Sequence, residues 1–514
     1  MKVISAKDMQ DLDRRTIAAG VSGEELMEGA GTGAFEEICY YIRDLPDRHV
    51  QRFVILAGKG NNGGDGHVIA RLLVEHLPEF ETEVISTCQV AELTGDARLN
   101  AERLPPPVKF TVADGLTDEY LREGTIFIDC LLGTGIRGEV REPYAGIIHS
   151  LNESGLPVIA IDIPSGVDAD TGAVSNAAVR ADLTITMAVP KSGLILGAGW
   201  EHCGRLRCVD IGIPPAFVEE KTAVCEAVLA ADVRPLLSRL PKTAHKGDMG
   251  RVLILGGSTD YPGAPVLAGI GALRAGGGLV TVAYPESIAG ALYARENALI
   301  RAVIADAGAG CHTPATAAAA RAMADRNDVV VVGPGLGSSD DSLEFVREVL
   351  GVEKPMILDA DGLRVLALDN GVLPRSPTTV LTPHPGEMQR LLRACGREPL
   401  LEKDRMTQAA AAAKALNAYV VLKGSGTVIA APDGAVVFNT SGSVALASGG
   451  TGDVLTGIIA AFMCRYHDPF AAVKLGVFVH GLAAELAPHG VRNFIADDLA
   501  GLLGKAMHEI SPLA

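Results

Sequence analysis

Asp453 stands inside Ala447-Ser448-Gly449-Gly450-Thr451-Gly452-Asp453, just ahead of a helical stretch through Ile458–Phe462. Free N–H groups at a helix start bind phosphate oxygens, and glycine lets the phosphate come close. A carboxylate there can take the proton from a hydroxyl that is being phosphorylated. The alternative, an Asp that merely favours the first helical turn, does not need so many glycines. Two further loops fit phosphoryl chemistry. Lys423-Gly424-Ser425-Gly426-Thr427 follows the apolar run Val420–Leu422 and can wrap a nucleotide's phosphates. Thr382-Pro383-His384-Pro385-Gly386-Glu387 presents one His and one Glu from a loop stiffened by prolines. Gly333-Pro334-Gly335-Leu336-Gly337 adds another turn with exposed backbone, and no Walker loop is present.

A second set of residues lies in the first half. Gly58-Lys59-Gly60-Asn61-Asn62-Gly63-Gly64-Asp65-Gly66 follows Phe53–Ala57 and matches G-x-G-x-x-G. That pattern alone suggests a dinucleotide oxidoreductase. The next strand, however, ends at Thr87-Cys88 with no acid to hold a ribose hydroxyl, and the loop is unusually polar. Two more polar loops carry carboxylates at strand ends: Asp129 before Gly133-Thr134-Gly135-Ile136-Arg137-Gly138-Glu139, and Asp162 before Ile163-Pro164-Ser165-Gly166-Val167-Asp168. A single such Asp is more often a helix cap. Three loops converging on the carboxyl edge of one parallel sheet favour a ligand site.

These loops must be carried by alternating strands and helices. Short β-branched runs recur at Phe53–Ala57, Glu83–Thr87, Thr125–Asp129, Pro157–Ile161, Leu183–Ala188 and Leu206–Asp210. The pattern restarts at Val252–Leu255 and continues through Leu279–Ala283, Val329–Val332, Met356–Leu358, Thr379–Leu381, Val420–Leu422 and Thr427–Ala430. Both halves therefore read as α/β, with parallel sheets flanked by helices. The pair Pro214-Pro215 ends the first set. The expected division is residues 1–216, a linker at 217–224, and residues 225–514.

The 514 residues carry a formal net charge of −17, which disfavours nucleic-acid and anionic-membrane partners. Nine scattered cysteines with no C-x-x-C argue against a zinc ribbon or a disulfide framework, and for reduced thiols in the cytoplasm. The N-terminus turns polar at once, and no apolar run reaches the ~20 residues of a membrane span.

Residues 1–215 resemble the NAD(P)HX epimerase family, in the Gly58–Gly66 run, the Asp129–Gly135 loop and Ile161–Asp168. The resemblance implies a Rossmann-like three-layer sandwich. It implies that Asn61, Asn62, Gly63, Gly64, Asp65 and Gly133–Glu139 cradle the hydrated dinucleotide, with K⁺ held by Asn62, Asp129 and Ser165. Asp162 is the candidate proton shuttle, and Tyr144 is either a ring-packing residue or an ordinary loop aromatic.

Residues 225–510 are similar to the ADP-dependent NAD(P)HX dehydratases, which are ribokinase-like. The motifs that carry the similarity are His245–Gly250, Gly256-Gly257-Ser258, Tyr261–Ala264, Gly276–Val280, the 382–387 loop and Gly449–Asp453. The similarity implies Ala264, Gly335, His384 and catalytic Asp453 at the substrate. It also implies Lys423, Gly424, Ser425, Gly426, Thr427 and Gly452 at the nucleotide, with Mg²⁺ on its phosphates. One departure is Ser441–Leu446, which replaces the family's Asn-Pro-Gly-Met run. Together the resemblances imply an enzyme, expected to be a homo-oligomer, that interconverts the R and S hydrates of NADH and NADPH. It would dehydrate the S form with ADP, giving AMP and phosphate. The alternative is a ribokinase-like small-molecule kinase fused to a non-catalytic Rossmann-like binding module.

Overall fold

The computed structural model describes residues 1–512 except 44, 46–49, 293–296, 369–373, 375, 377 and 488–492. The chain forms two compact units, Met1–Ala227 and Val228–Ala514. Part of the segment expected as linker is helical, because Pro214-Pro215 opens the helix Pro215–Glu219 as well as ending the strand before it. Proline suits the first helical position, where its missing N–H has no partner to lose.

The first unit is built on seven parallel strands: β1 (Arg52–Ala57), β2 (Glu81–Ser86), β3 (Lys109–Val112), β4 (Thr125–Cys130), β5 (Val158–Ile161), β6 (Leu183–Met187) and β7 (Arg205–Val209). Their order is β3-β2-β1-β4-β5-β6-β7. Strands buried on both faces are apolar at nearly every position, as in Phe53-Val54-Ile55-Leu56-Ala57. Alternate residues serve opposite faces. Phe53, Ile55 and Ala57 pack with Ala30, Ala34 and Ile38 of the helix Gly23–Arg43. Val54 and Leu56 pack with Ile147, Ile148 and Leu151 of the helix Tyr144–Glu153. The result is three layers.

The second unit contains β8 (Arg251–Leu255), β9 (Leu279–Pro285), β10 (Ile300–Ile304), β11 (Val329–Val332), β12 (Met356–Leu358), β13 (Thr379–Leu381), β14 (Tyr419–Leu422), β15 (Val428–Ala430) and β16 (Val436–Asn439). Their order is β16-β15-β14-β13-β12-β11-β8-β9-β10. The sheet is parallel through β14, whereas β14-β15-β16 pair antiparallel. The five residues from Lys423 to Thr427 can close a hairpin but cannot make a parallel crossover.

Two helices are drawn together tightly enough to fix Asp453. The helix Thr451–Arg465 packs on Ala264–Arg274. A Cβ at Gly457 would lie 1.8 Å from the Ala268 carbonyl oxygen, and one at Gly271 would lie 2.4 Å from that of Val454. Alanine at an open helical position gains up to ~1 kcal/mol over glycine. Here the overlap is with backbone and wins, so Gly457→Ala should cost ~1–3 kcal/mol. The expected result is a lowered thermal midpoint for the second unit; an unchanged midpoint would mean that the helices can separate without cost.

Candidate active sites

The parallel strands of each sheet reverse their order at one point, and the carboxyl edge at such a reversal is where a crevice forms. In the first unit the reversal is at β1/β4. A cavity of about 560 Å³ opens there, lined by Lys59–Asn62, Asp65, Leu131–Ile136, Tyr144, Asp162 and Lys191 among others. The glycine-rich run departs from a plain loop, because the helix begins at Asn61 and Gly60 caps it. Gly58 and Gly63 are packing glycines. A Cβ at Gly58 would meet the Leu131 carbonyl oxygen at 1.8 Å, and one at Gly63 that of Gly58 at 2.1 Å. Gly64 is likewise pressed on Met27. Asn61, Asn62 and Asp65 reach the cavity, as do Gly133, Thr134, Gly135 and Ile136. Arg137, Gly138 and Glu139 do not line it, and Arg137 pairs instead with Asp168 (2.8 Å) and Asp170 (2.6 Å). Tyr144 lines the cavity at the start of its helix, its hydroxyl 3.1 Å from Thr87 Oγ1.

Asn62, Asp129 and Ser165 are buried together. Ser165 donates from its Oγ (2.6 Å) and its N (2.8 Å) to the Asp129 carboxylate, which also accepts from Leu131 N at 3.2 Å. Burial pushes Asp129 up to about 6, against those hydrogen bonds. Asn62 donates to the Leu132 carbonyl at 2.9 Å, while its buried Oδ1 has no partner among the described residues. Leu132 O also lies 3.3 Å from Ser165 Oγ. An orphan amide oxygen beside a carboxylate and a hydroxyl is an oxygen-only donor set, which suits a hard cation. Among the described residues no group of three or more His, Cys, Asp or Glu is placed to hold a metal.

Asp162 is no helix cap. Its φ is 67°, its N donates to Ile185 O at 2.7 Å, and its carboxylate is ion-paired with the buried ammonium of Lys191. Lys191 and Asp13, which also lines the cavity, escaped the sequence reading. Lys191 follows Val189-Pro190 and Asp13 lies in a mid-helix charge run; neither position signals a site.

In the second unit the reversal is at β8/β11, and several loops meet there. Gly335 takes φ 66°, and a Cβ on it would lie 2.4 Å from Tyr261 O and 3.0 Å from Ala264 Cβ, so Ala264 and Gly335 are neighbours. Gly337 N donates to Asp361 Oδ2 at 2.9 Å. Gly450 adopts φ 89° and starts the helix that bears Asp453, and buried His480 contacts Thr451 O at 2.9 Å. Lys423 turns its ammonium inward to Asp359 at 2.7 Å and lies against Gly452. Asp359 is also held by Thr456 Oγ1 at 2.7 Å. Arg405 shapes the loop behind Lys423, donating to the carbonyls of Leu422, Ser425 and Gly426. Gly424 and Gly426 both take positive φ there. Thr427 Oγ1 donates to Gly424 O at 3.2 Å, which closes the loop on itself.

Burial, the neighbouring Asp359 and, less strongly, Asp361 push Asp453 up to about 7, although Lys423 pulls the other way. His384 caps the helix Pro385–Ala394, its Nδ1 accepting from Gly386 N at 3.0 Å, and its Nε2 lies 3.4 Å from Glu387. Burial lifts Glu387, which senses both Lys423 and Asp359. Asp359 and Asp361 went unread, although Leu358-Asp359-Ala360-Asp361 carries the strand-end signal already used for Asp129 and Asp162. The departing run 441–446 is pinned to the helix Pro469–Glu485, with Ser443 Oγ donating to Ala484 O (2.7 Å) and Gly442 N to Glu485 (2.9 Å). Its last carbonyl, of Leu446, accepts from Thr451 Oγ1 at 3.0 Å. Among the described residues no helix is long and apolar enough to cross a membrane.

Two family models match separate parts of the chain. Residues 252–503 match the family model described as NAD(P)H-hydrate dehydratase, and residues 23–193 match that of the YjeF-related protein N-terminus. A bifunctional NAD(P)H-hydrate repair enzyme from Moorella thermoacetica is 36% identical over 98% of this chain and 96% of its own. One from Salinibacter ruber is 37% identical over 99% and 96%. One from Escherichia coli is 34% identical over 95% and 90%. A solved ADP/ATP-dependent NAD(P)H-hydrate dehydratase from Bacillus subtilis, crystallised with ATP and Mg²⁺, is 32% identical. It covers 56% of this chain and 100% of its own, with a TM-score of 0.48. With two α/β units, each carrying a polar carboxylate site at its strand-order reversal, and with full-length relatives of this kind, the chain belongs to the family of bifunctional NAD(P)H-hydrate repair enzymes.

Proposed function

We propose that the first unit interconverts the C6 epimers of hydrated NADH and NADPH, and that the second dehydrates the S epimer at the expense of ADP. The observation that carries the reading is the pair of separate sites, each with a carboxylate placed for proton transfer. In the second unit, Asp453 takes the proton of the C6 hydroxyl as that oxygen attacks the β-phosphoryl group of ADP. AMP departs, and the phosphate ester formed is a far better leaving group than hydroxide. Its loss as phosphate, with a proton from C5, restores the dihydropyridine. The amides at Gly450–Gly452 and Lys423 supply positive potential for the transferring group. Mg²⁺, bound through the nucleotide's phosphates, would add charge neutralisation.

In the first unit, C6 loses its oxygen substituent from one face and regains water on the other, and Asp162 carries the proton. Asn61, Asn62 and Asp65 from the helix start and Gly133–Ile136 opposite hold the substrate, with Tyr144 at the wall. Asn62 Oδ1, Asp129 and Ser165 would hold K⁺, which would tie the helix start at Asn62 to the strand end at Asp129 and the loop at Ser165.

The experiment mixes the full chain with both epimers of hydrated NADPH, ADP, Mg²⁺ and K⁺, and follows the near-ultraviolet absorbance of the dihydronicotinamide. Complete, ADP-dependent recovery is expected, and replacing K⁺ with a bulky organic cation should slow only the phase limited by epimerisation. Recovery that halts when one epimer is spent would reduce the first unit to a binding module. No recovery, with phosphorylation of another small alcohol, would favour a kinase.

A further inference from the structure

We propose that Lys191 is a positioning residue that occupies one oxygen of Asp162 and so leaves the other as the single atom that handles the proton. The inference rests on the assignment of Asp162 as proton carrier. Lys191 is fully buried at the cavity wall. A buried ammonium is costly unless it is paired and hydrogen-bonded, and an apolar side chain of similar size is often the more stable choice. Cohesion of the fold therefore does not account for it.

The contacts indicate its role. The ammonium has three donors. They reach Met187 O at 2.9 Å, Thr186 Oγ1 at 3.2 Å and Asp162 Oδ1. With all three engaged, Lys191 acts on Asp162 and not on a ligand. Asp162 Oδ1 also receives Met187 N at 3.3 Å and Thr186 Oγ1 at 3.4 Å. Oδ2 has no hydrogen bond among the described residues, and the side chain remains 17% exposed, at the cavity. The backbone adds a second constraint, since a left-handed φ on a residue with a Cβ costs ~1–2 kcal/mol and persists only where its surroundings impose it. The other charged groups facing the pair are Asp13 and Asp65. Burial holds both above the usual carboxylate range, Asp65 well above it with help from Asp162 and Asp13. One ammonium thus faces three carboxyl groups, and its contact is with Asp162.

The test measures epimerisation by the full chain carrying Lys191→Met, Lys191→Arg or Lys191→Ala, with circular dichroism to confirm folding. The expected result for Lys191→Met is kcat lowered ~100-fold, the scale of a misdirected acid–base group, with KM within about threefold. Lys191→Arg should fall between it and the wild type. Lys191→Ala should regain activity as ethylammonium or butylammonium is added, which a merely structural role would not produce. Wild-type kcat in the Met variant, a change confined to KM, or an alanine variant indifferent to amines would overturn the inference. If the Met variant fails to fold, the Arg variant and the amine titration decide. Failure of the parent reading looks different: Asp162→Asn would then epimerise normally, whereas an inactive Asp162→Asn beside a fully active Lys191→Met sinks only the role of Lys191.

Discussion

Asp453→Asn is expected to lower dehydration ~10²–10⁴-fold while leaving epimerisation at the wild-type rate. The amide keeps the size of the side chain but cannot accept the hydroxyl proton, and a positioned base is worth ~10²–10⁴-fold. Asp453 is pushed up to about 7 by burial and by Asp359, so kcat/KM for dehydration in the wild type should rise with pH through about 7 and then level off. The stability consequence has a definite sign. A carboxyl whose folded pKa lies above its unfolded value destabilises the fold as pH rises from about 4 to about 7. Asn removes that cost, so the variant should melt at a higher temperature at pH 8, with the gain vanishing near pH 4. Loss of activity together with a gain in stability marks a site strained for function. Kinetics of each half-reaction and melting curves at the two pH values test this. Dehydration at the wild-type rate would remove Asp453 from the mechanism.

Asp162→Asn should produce the mirror image, with epimerisation lowered ~10²–10⁴-fold and dehydration of the S epimer unchanged. Its effect on stability is the opposite of that at Asp453. The amide oxygen can still accept from Lys191, but the buried ammonium loses its counter-charge. Breaking a buried pair costs up to about 3–5 kcal/mol, and less here because the carboxylate is partly open to the cavity. The second change Lys191→Met, made on the Asn background, should recover much of that stability without recovering epimerisation. Recovery of both would mean that Asp162 serves the fold alone.

The α/β class, the succession of strands and the loops bearing Asp129, Asp162, His384 and Asp453 follow from local pattern. Buried parallel strands are continuous apolar runs, as Val329–Val332 is, and polar glycine-rich segments after them are unmistakable. Edge strands lack that signal: Lys109–Val112 and Ile300–Ile304 are only partly buried, so their composition is mixed. The three antiparallel strands of Tyr419–Asn439 depend on two short connections whose antiparallel outcome reflects geometry more than composition.

Which residue types could do acid–base and phosphate chemistry is legible in the chain, because that is a property of side chains and of glycine-lined strand ends. Their partners are set by the folded arrangement. Lys191 stands 29 residues from Asp162 and Lys423 stands 64 from Asp359, and nothing local couples either pair. Both meet because parallel strands deliver their carboxyl ends to a single edge: Asp162 and Lys191 follow the paired strands β5 and β6, and Asp359 and Lys423 follow β12 and β14. Burial there makes each ammonium seek a carboxylate.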